Sequence, residues 1–315
     1  MINDLKLLEL FVRAARLGAI GKAGAEFGLS PTSATQRIQA LESEVGAQLL
    51  HRTTRSVSVT LEGERLLKHA ERIFETVQDA MLDVSGENQV LRGTLRLAGP
   101  ASFGRKYIAP FVTEFLSMHP GLTVQLHLSD TVFDIVDNGF DCAIRLGALE
   151  SSSLKAQKLS SCPRILVAAP DYLKAMGTPQ TPQDLVHFDC VIRDALQNWK
   201  FKGPHGEEDA VKVAGRFVTN LAEGVTEAAI SGFGIARKCT WEVAEHLESG
   251  ELVTVLDRYI VAPEWNIHFM RPPGGIEPLR VRQFRSFIKQ KMAQVPLLAD
   301  PGTRWIYSAS VDVQA

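Results

Sequence analysis

Apolar positions near the start of the chain recur first at helical and then at strand spacing. Leu5, Leu8, Phe11, Val12 and Ala15 share one helical face, and Gly18 closes that helix. Ala23 and Phe27 mark the inner face of a short second helix, and Gly28-Leu29 makes the turn after it. Ser30 stands where an N-cap belongs, with Pro31 at the first helical position, where a missing N–H costs nothing. The third helix is expected to run to about Val45 and to bury Ala34, Ile38, Leu41 and Val45. Its other face offers Thr32, Ser33, Thr35, Gln36, Arg37 and Gln39. After His51–Arg55 the period falls to two, and Ser56–Thr60 reads as the return strand of a basic hairpin with Val57 and Val59 turned inward. Helix, turn, helix with a polar leading edge, then a basic wing: that order suits a module docking in the DNA major groove.

From Leu61 to Asn88 there is no proline and only one early glycine, Gly63, before Gly86, and Leu66, Ala70, Ile73, Val77, Ala80 and Val84 are spaced 4, 3, 4, 3, 4. That spacing predicts a long helix with an a/d seam, and a dimerisation role is expected for those six residues. Gly86–Arg92 is a polar break and a hinge candidate. Beyond it strands and helices alternate: strands at 94–98, 123–128, 141–145, 165–169, 190–193, 216–219 and 234–237, and helices at 104–118, 132–138 and 222–231. Alternation of this kind predicts parallel sheets wrapped by helices. The segments before about Ser160 and after about Trp265 are assigned to one lobe, and the middle to a second, with two chain crossings between them.

Charge changes this picture in one respect. The chain of 315 residues has a formal net charge of −2, and residues 1–60 hold seven Lys/Arg against five Asp/Glu. A reader so weakly basic gains few phosphate contacts alone, so it is expected to work in pairs. The four cysteines, Cys142, Cys162, Cys190 and Cys239, have no metal or CxxC spacing and read as buried thiols. No signal peptide is recognised at Met1–Lys6, and no apolar run approaches the roughly 20 residues that span a bilayer. A cytoplasmic protein is expected, without membrane, metal or cofactor.

Taken together, these residues closely resemble the LysR-type transcriptional regulators, over about residues 4–296. The most specific part is LSPTSATQRIQALESEVGAQLLHRTTRSVSVT (Leu29–Thr60), which looks like that family's recognition helix, LE-x-x-x-G joint and RT-x-R wing. PGLTVQLHLSD, GFDCAIRLG, PDYLKAMGTPQTPQDL, SGFGIA and RVRQFRSFI add support in the same order. The resemblance implies an N-terminal winged helix-turn-helix and a long linker helix, followed by a two-lobed, periplasmic-binding-protein-like α/β effector domain. The boundaries expected are 1–60 for the reader, 61–88 for the dimerisation helix, 91–297 for the effector domain and 298–315 for a tail without assigned role. Within the effector domain, lobe I takes about 91–160 and 266–297, and lobe II about 161–265. The implied partners are double-stranded promoter DNA, a small-molecule effector in an interlobe cleft and further copies of the chain, as dimer or tetramer. RNA polymerase is a candidate contact.

Carried over by position, base contacts fall to Pro31, Thr32, Thr35 and Gln36, and phosphate contacts to Ser33, Arg37, Arg52, Thr53 and Arg55. The family commonly has arginine where Gln36 stands and glutamine where Pro31 stands, so the preferred operator should differ from that of relatives. Effector contacts are expected where strands end and helices begin: Ala101, Ser102 and Phe103, then Asp130 and Thr131, then Arg145. Lobe II would add Phe201, Asn220, Leu221, Gly234 and Ile235. Ser102 is either a helix cap, a ligand contact or both. Arg237 and Lys238 imply an anionic effector if they face the cleft, and little if they do not. Two alternatives stand beside this reading. One is a redox-sensing member of the same family that uses cysteine. The other is an α/β enzyme built on Ser102, His127 and Asp130, although no G-x-S-x-G, Walker, G-x-G-x-x-G or HExxH motif is present.

Overall fold

The computed structural model describes residues 4–52, 57–84, 91–131, 134–149, 153–193, 197–274 and 277–300, with the backbone but not the side chains of 52, 79 and 82–84. The chain divides into two compact units, Met1–Gln89 and Val90–Ala315.

In the first unit, α1 (Leu5–Leu17), α2 (Ile20–Glu26) and α3 (Pro31–Val45) close around Phe11, Ala23, Ala34, Ile38 and Leu41. Helix α1 stops at Gly18 and α3 at Gly46, both left-handed (φ 61° and 76°), which glycine adopts without Cβ strain. Ser30 caps α3, its hydroxyl accepting the Ser33 N–H at 3.1 Å, and Pro31 takes the first turn as expected. Val45 departs from expectation: it lies in the last turn at 38% exposure. Strands β1 (Leu50–Arg52) and β2 (Val57–Val59) pair antiparallel, with Leu50 opposite Val59. Glu42 holds the hairpin's entry, one carboxylate oxygen accepting the N–H groups of Leu49 (2.9 Å) and Leu50 (3.2 Å). That contact gives the LE-x-x-x-G pattern its structural meaning: Leu41 is buried, Glu42 ties the strand and Gly46 turns the chain. Helix α4 (Leu61–Val84) follows, started by Thr60, whose hydroxyl accepts the Gly63 N–H at 2.9 Å.

Over its described residues the second unit holds two five-stranded sheets and a small three-stranded one. The first sheet uses β3 (Gly93–Gly99), β4 (Leu122–Leu128), β5 (Cys142–Gly147) and β6 (Lys155–Ser161). Between β3 and β4 lies one helical run: α5 (Ala101–Phe103), a π-type turn at Gly104–Ile108 and α6 (Ala109–Met118). The chain then crosses to β7 (Arg164–Ala168), α7 (Pro170–Met176), β8 (Cys190–Arg193), β9 (Asn198–Lys202), β10 (Glu208–Lys212) and β11 (Phe217–Thr219). Helix α8 (Ala222–Ile230), β12 (Ile235–Cys239), α9 (Thr240–Ser249), β13 (Val253–Val255) and β14 (Ile260–Ala262) complete the second lobe. Strand β15 (Asn266–Arg271) returns to the first lobe, followed by α10 (Leu279–Gln294) and α11 (Pro296–Ala299).

The sheet orders are β4-β3-β5-β15-β6, β11-β8-β12-β7-β13 and β10-β9-β14. Both large sheets are mixed rather than parallel: β15 runs antiparallel to β5 and β6, and β7 antiparallel to β12 and β13. The reason is the double crossing, because a strand that returns from the other lobe enters its sheet from the opposite end. The two crossing segments touch through the Cys162 N–H and the Trp265 carbonyl, 2.9 Å apart. The helix expected at 132–138 is, over its described residues, a turn in which Asp134 caps the N–H groups of Val136 and Asp137. Among the described residues no helix is long and apolar enough to cross a membrane.

Candidate functional site

On the reader unit, the burial of Ala34, Ile38 and Leu41 forces the opposite face of α3 outward. Pro31, Thr32, Gln36 and Arg37 are exposed, and Ser33 and Thr35 half-buried. Ser33 also shares a hydrogen bond with the Ser30 hydroxyl at 3.0 Å, so part of its capacity is spent within the helix cap. Arg52 is described as strand backbone only, and Thr53 and Arg55 lie outside the described residues. Helix α2 crosses α3 closely, since a Cβ on Gly24 would lie 2.5 Å from that of Ala34. Gly24 therefore permits the approach of the two helices and offsets its helix-propensity cost.

The a/d stripe on α4 divides. Ala70 is fully buried in the reader's own core and Leu66 packs against it, whereas Ile73 (41% exposed), Val77 (36%) and Ala80 face outward. The side chain of Val84 lies outside the described residues. The physical reason for the split is that α1 covers the first turns of α4, with Arg16 and Glu71 paired at 2.8 Å. Leu66 and Ala70 thus hold the helix to its own unit, and the outward apolar surface starts at Ile73.

In the second unit a cavity of about 140 Å³ lies between the lobes. Ser102, Phe103, Asp130, Thr131 and Arg145 line it from the first lobe, Arg193, Ala222, Cys239, Trp241 and Glu242 from the second, and Trp265 from the crossing. Asp130 is its hub. Its side chain is 3% exposed; one oxygen accepts the Ala101 N–H at 2.9 Å and the other the Ala222 N–H at 3.2 Å. Ala101 and Ala222 open helices in opposite lobes, so one carboxylate satisfies two helix N-termini across the cleft. Arg193 stands 3.9 Å from the same carboxylate. The rim is joined by Arg105–Glu223 and Lys106–Glu245, each at 2.8 Å. Trp241 packs on Phe103 (5.1 Å) and Tyr107 (5.9 Å), and its indole Nε1 is buried without an acceptor among the described residues.

The expected effector residues divide accordingly. Ser102, Phe103, Asp130, Thr131 and Arg145 come together at the cleft. Ala101 contributes its N–H to Asp130, and Ser102 is not the cap, since the capping position is Pro100. Phe201 is 1% exposed in the core of the second lobe, with Trp199 and Ile235. Its strand belongs to the β10-β9-β14 sheet, whose inner face it fills. Leu221 is 50% exposed beside Asn220, and Gly234 is buried against the Asp189 carbonyl. Asn220, Leu221, Gly234 and Ile235 do not line the cavity. Arg193, Trp241, Glu242 and Trp265 do, although the sequence did not single them out. Arg193 ends β8, so the strand-end rule points to it, whereas Arg145, expected at a strand end, lies inside β5, which runs on to Gly147. Trp241 escaped because β12 runs on to Cys239 rather than ending at Arg237.

The remaining charges and thiols are accounted for locally. Lys238 is 3% exposed and donates to Glu242 and to the Ala222 carbonyl, both at 2.7 Å, while Arg237 stacks on Trp199. Neither lines the cavity, so they carry no argument for an anion. Cys162 and Cys239, 77 residues apart in sequence, have sulfurs 2.9 Å apart. Burial pushes the Cys239 thiol well above its ordinary pKa, which works against a reactive thiolate. His127 is exposed on β4 against Phe140, and Asp130 is committed to backbone, so the Ser102, His127, Asp130 constellation is not assembled.

Comparison with known proteins agrees with both units. Residues 5–64 match the family described as bacterial regulatory helix-turn-helix protein, lysR family, and residues 88–293 the LysR substrate binding domain. The chain is similar to the HTH-type transcriptional regulator DmlR of Escherichia coli K12, 33% identical over 93% of this chain and 95% of that one. To the HTH-type transcriptional activator TtdR of the same strain it is 35% identical, over 82% and 86%. Among solved structures, full-length AphB, a virulence activator of Vibrio cholerae, is 26% identical with a TM-score of 0.57, covering 90% of this chain and 98% of that one. CrgA of Neisseria meningitidis, 23% identical with a TM-score of 0.58 over 92% and 99%, shares the fold.

Proposed function

The chain belongs to the LysR family of bacterial transcriptional regulators, and from that premise we propose that its two units couple promoter binding to a small anionic effector held between the lobes. In this reading the reader acts in the cytoplasm as part of a dimer or tetramer on double-stranded promoter DNA. The outward surface of α4 from Ile73 onward, with Val77 and Ala80, supports self-association. Contact with RNA polymerase is the step through which activation would run.

The observation that carries the anionic effector is the pair of arginines, Arg145 and Arg193, placed by opposite lobes on one small cavity. The Trp241 indole N–H, buried without an acceptor among the described residues, supplies a third donor. A volume of about 140 Å³ favours a compact acid over a drug-sized ligand. Screening small carboxylic acids by calorimetry should yield a ligand that Arg193→Met and Arg145→Met each weaken by about tenfold or more, the value of a charge-assisted hydrogen bond. Unchanged affinity in both variants would remove the anion from the cleft.

For the reader, Gln36 is exposed on the leading face of α3, where a carboxamide pairs with adenine N6 and N7. Gln36→Arg is expected to move one operator position toward guanine in a selection from random DNA. An identical selected consensus would show that Gln36 does not read bases.

A further inference from the structure

A second cavity, of about 390 Å³, opens where β7, β13 and β14 meet the crossing at Trp265. Its polar centre is Arg164, the first residue of β7 and only 7% exposed. The guanidinium lies 4.3 Å over the Trp265 ring, and its Nη2 donates to the Pro263 carbonyl at 2.7 Å. Its Nε is buried with no acceptor, and no carboxylate pairs with the group among the described residues. Burial pulls its pKa down to about 10, which leaves it charged at neutral pH. An enclosed cation without a counter-ion is costly, and packing on Trp265 alone needs no charge.

We propose that this cavity is a second small-molecule site, taking a monocarboxylic acid with an apolar body whose carboxylate meets Arg164. The walls fit the body: Leu166 and Val255 are buried apolar surface, Ile260 stands at 45% exposure, and Tyr259 offers a ring. Asp257, Glu264 and Asp300 also line the cavity. Those carboxylates repel any anion, and a second negative charge on the ligand would add to that repulsion with Arg164 the only Lys or Arg among the described lining residues, so a diacid is disfavoured relative to a monoacid. The volume is in the range of pockets that enclose small organic molecules, and larger than the interlobe cleft. Trp265 lines both cavities, so an acid that draws Arg164 from the ring acts on a wall of the cleft. Binding here does not depend on the effector reading above; only its consequence for the cleft does.

The test is calorimetric titration of the full chain with phenylacetate, indole-3-acetate and 4-methylpentanoate, alongside phenylmalonate as the diacid. The proposal expects at least one monoacid to bind wild type and Arg193→Met alike, and phenylmalonate to bind more weakly. Arg164→Met and the rim-filling Ile260→Trp should each weaken that monoacid by about tenfold or more. Ile260 is half-exposed, so its variant reports on the cavity even if Arg164→Met folds poorly. Three results overturn the proposal: no monoacid binds, both cavity variants keep wild-type affinity, or affinity falls only in Arg193→Met, which assigns the acid to the cleft.

Discussion

Alanine at position 63 should deprive the first unit of its stable fold, although the change adds one methyl group. Gly63 is buried in the first turn of α4, and a Cβ there would stand 2.1 Å from the Leu49 carbonyl oxygen. That oxygen is fixed, because it accepts the Thr60 N–H at 3.0 Å in the chain segment that closes the hairpin. Relief requires the start of α4 to move away from β1. Such a move opens that bond, the Gly63 N–H to the Thr60 hydroxyl (2.9 Å) and the Thr60 hydroxyl to the Gln48 carbonyl (2.7 Å). At about 1 kcal/mol for each bond, plus the loosened packing of Leu49 and Ala70, the loss should reach about 4 kcal/mol. A domain of this size commonly has only about 5–10 kcal/mol to lose. Urea unfolding followed by circular dichroism, with DNA binding in parallel, checks this against Glu62→Ala, whose exposed neighbouring side chain should be close to neutral. A Gly63→Ala protein within about 1 kcal/mol of wild type would refute this account of the α4 junction.

The reader was legible because its determinants are local. Ser30 and Pro31 start α3 by contacts within three residues, and Glu42 ties a hairpin only eight residues on. The α4 stripe was legible as a stripe but not as two halves, because which neighbour covers Leu66 and Ala70 is decided by α1, far back in the chain. The second unit was harder for the same reason. Strand β15 enters between β5 and β6 only after the chain has built the other lobe, so its antiparallel pairing leaves no local trace. Phe201 was misplaced because the β9–β10 hairpin turns it into a core instead of a cleft. Asp130 was singled out as a strand-end residue, but its second partner, Ala222, lies 92 residues away. No spacing in the sequence records that pairing.

Asp130→Ala should accordingly weaken the second unit by about 3 kcal/mol, and formate should restore part of the loss. The carboxylate is nearly enclosed and serves two backbone N–H groups that open helices in opposite lobes. Its removal leaves both donors short of an acceptor, at roughly 1–3 kcal/mol for a buried group, and removes a negative charge from two helix N-termini. Arg193, 3.9 Å away, loses the same partner. Asp130→Asn keeps one acceptor oxygen and should cost about half as much. Formate fits the vacated space and presents the same two oxygens, so it should raise the stability of Asp130→Ala while leaving wild type nearly unchanged. Urea unfolding followed by tryptophan fluorescence gives both numbers, with Trp241 beside the cleft as the reporter. If Asp130→Ala is as stable as wild type, or formate stabilises the two equally, the carboxylate does not hold the lobes. If the prediction is met, the protein supplies from its own chain an anion at the point where the helices of the two lobes converge. An effector acid must then either displace that carboxylate from one lobe or bind beside it on Arg145 and Arg193. The two routes separate in the variant: displacement predicts that Asp130→Ala binds the acid more tightly than wild type, and adjacent binding predicts equal affinity.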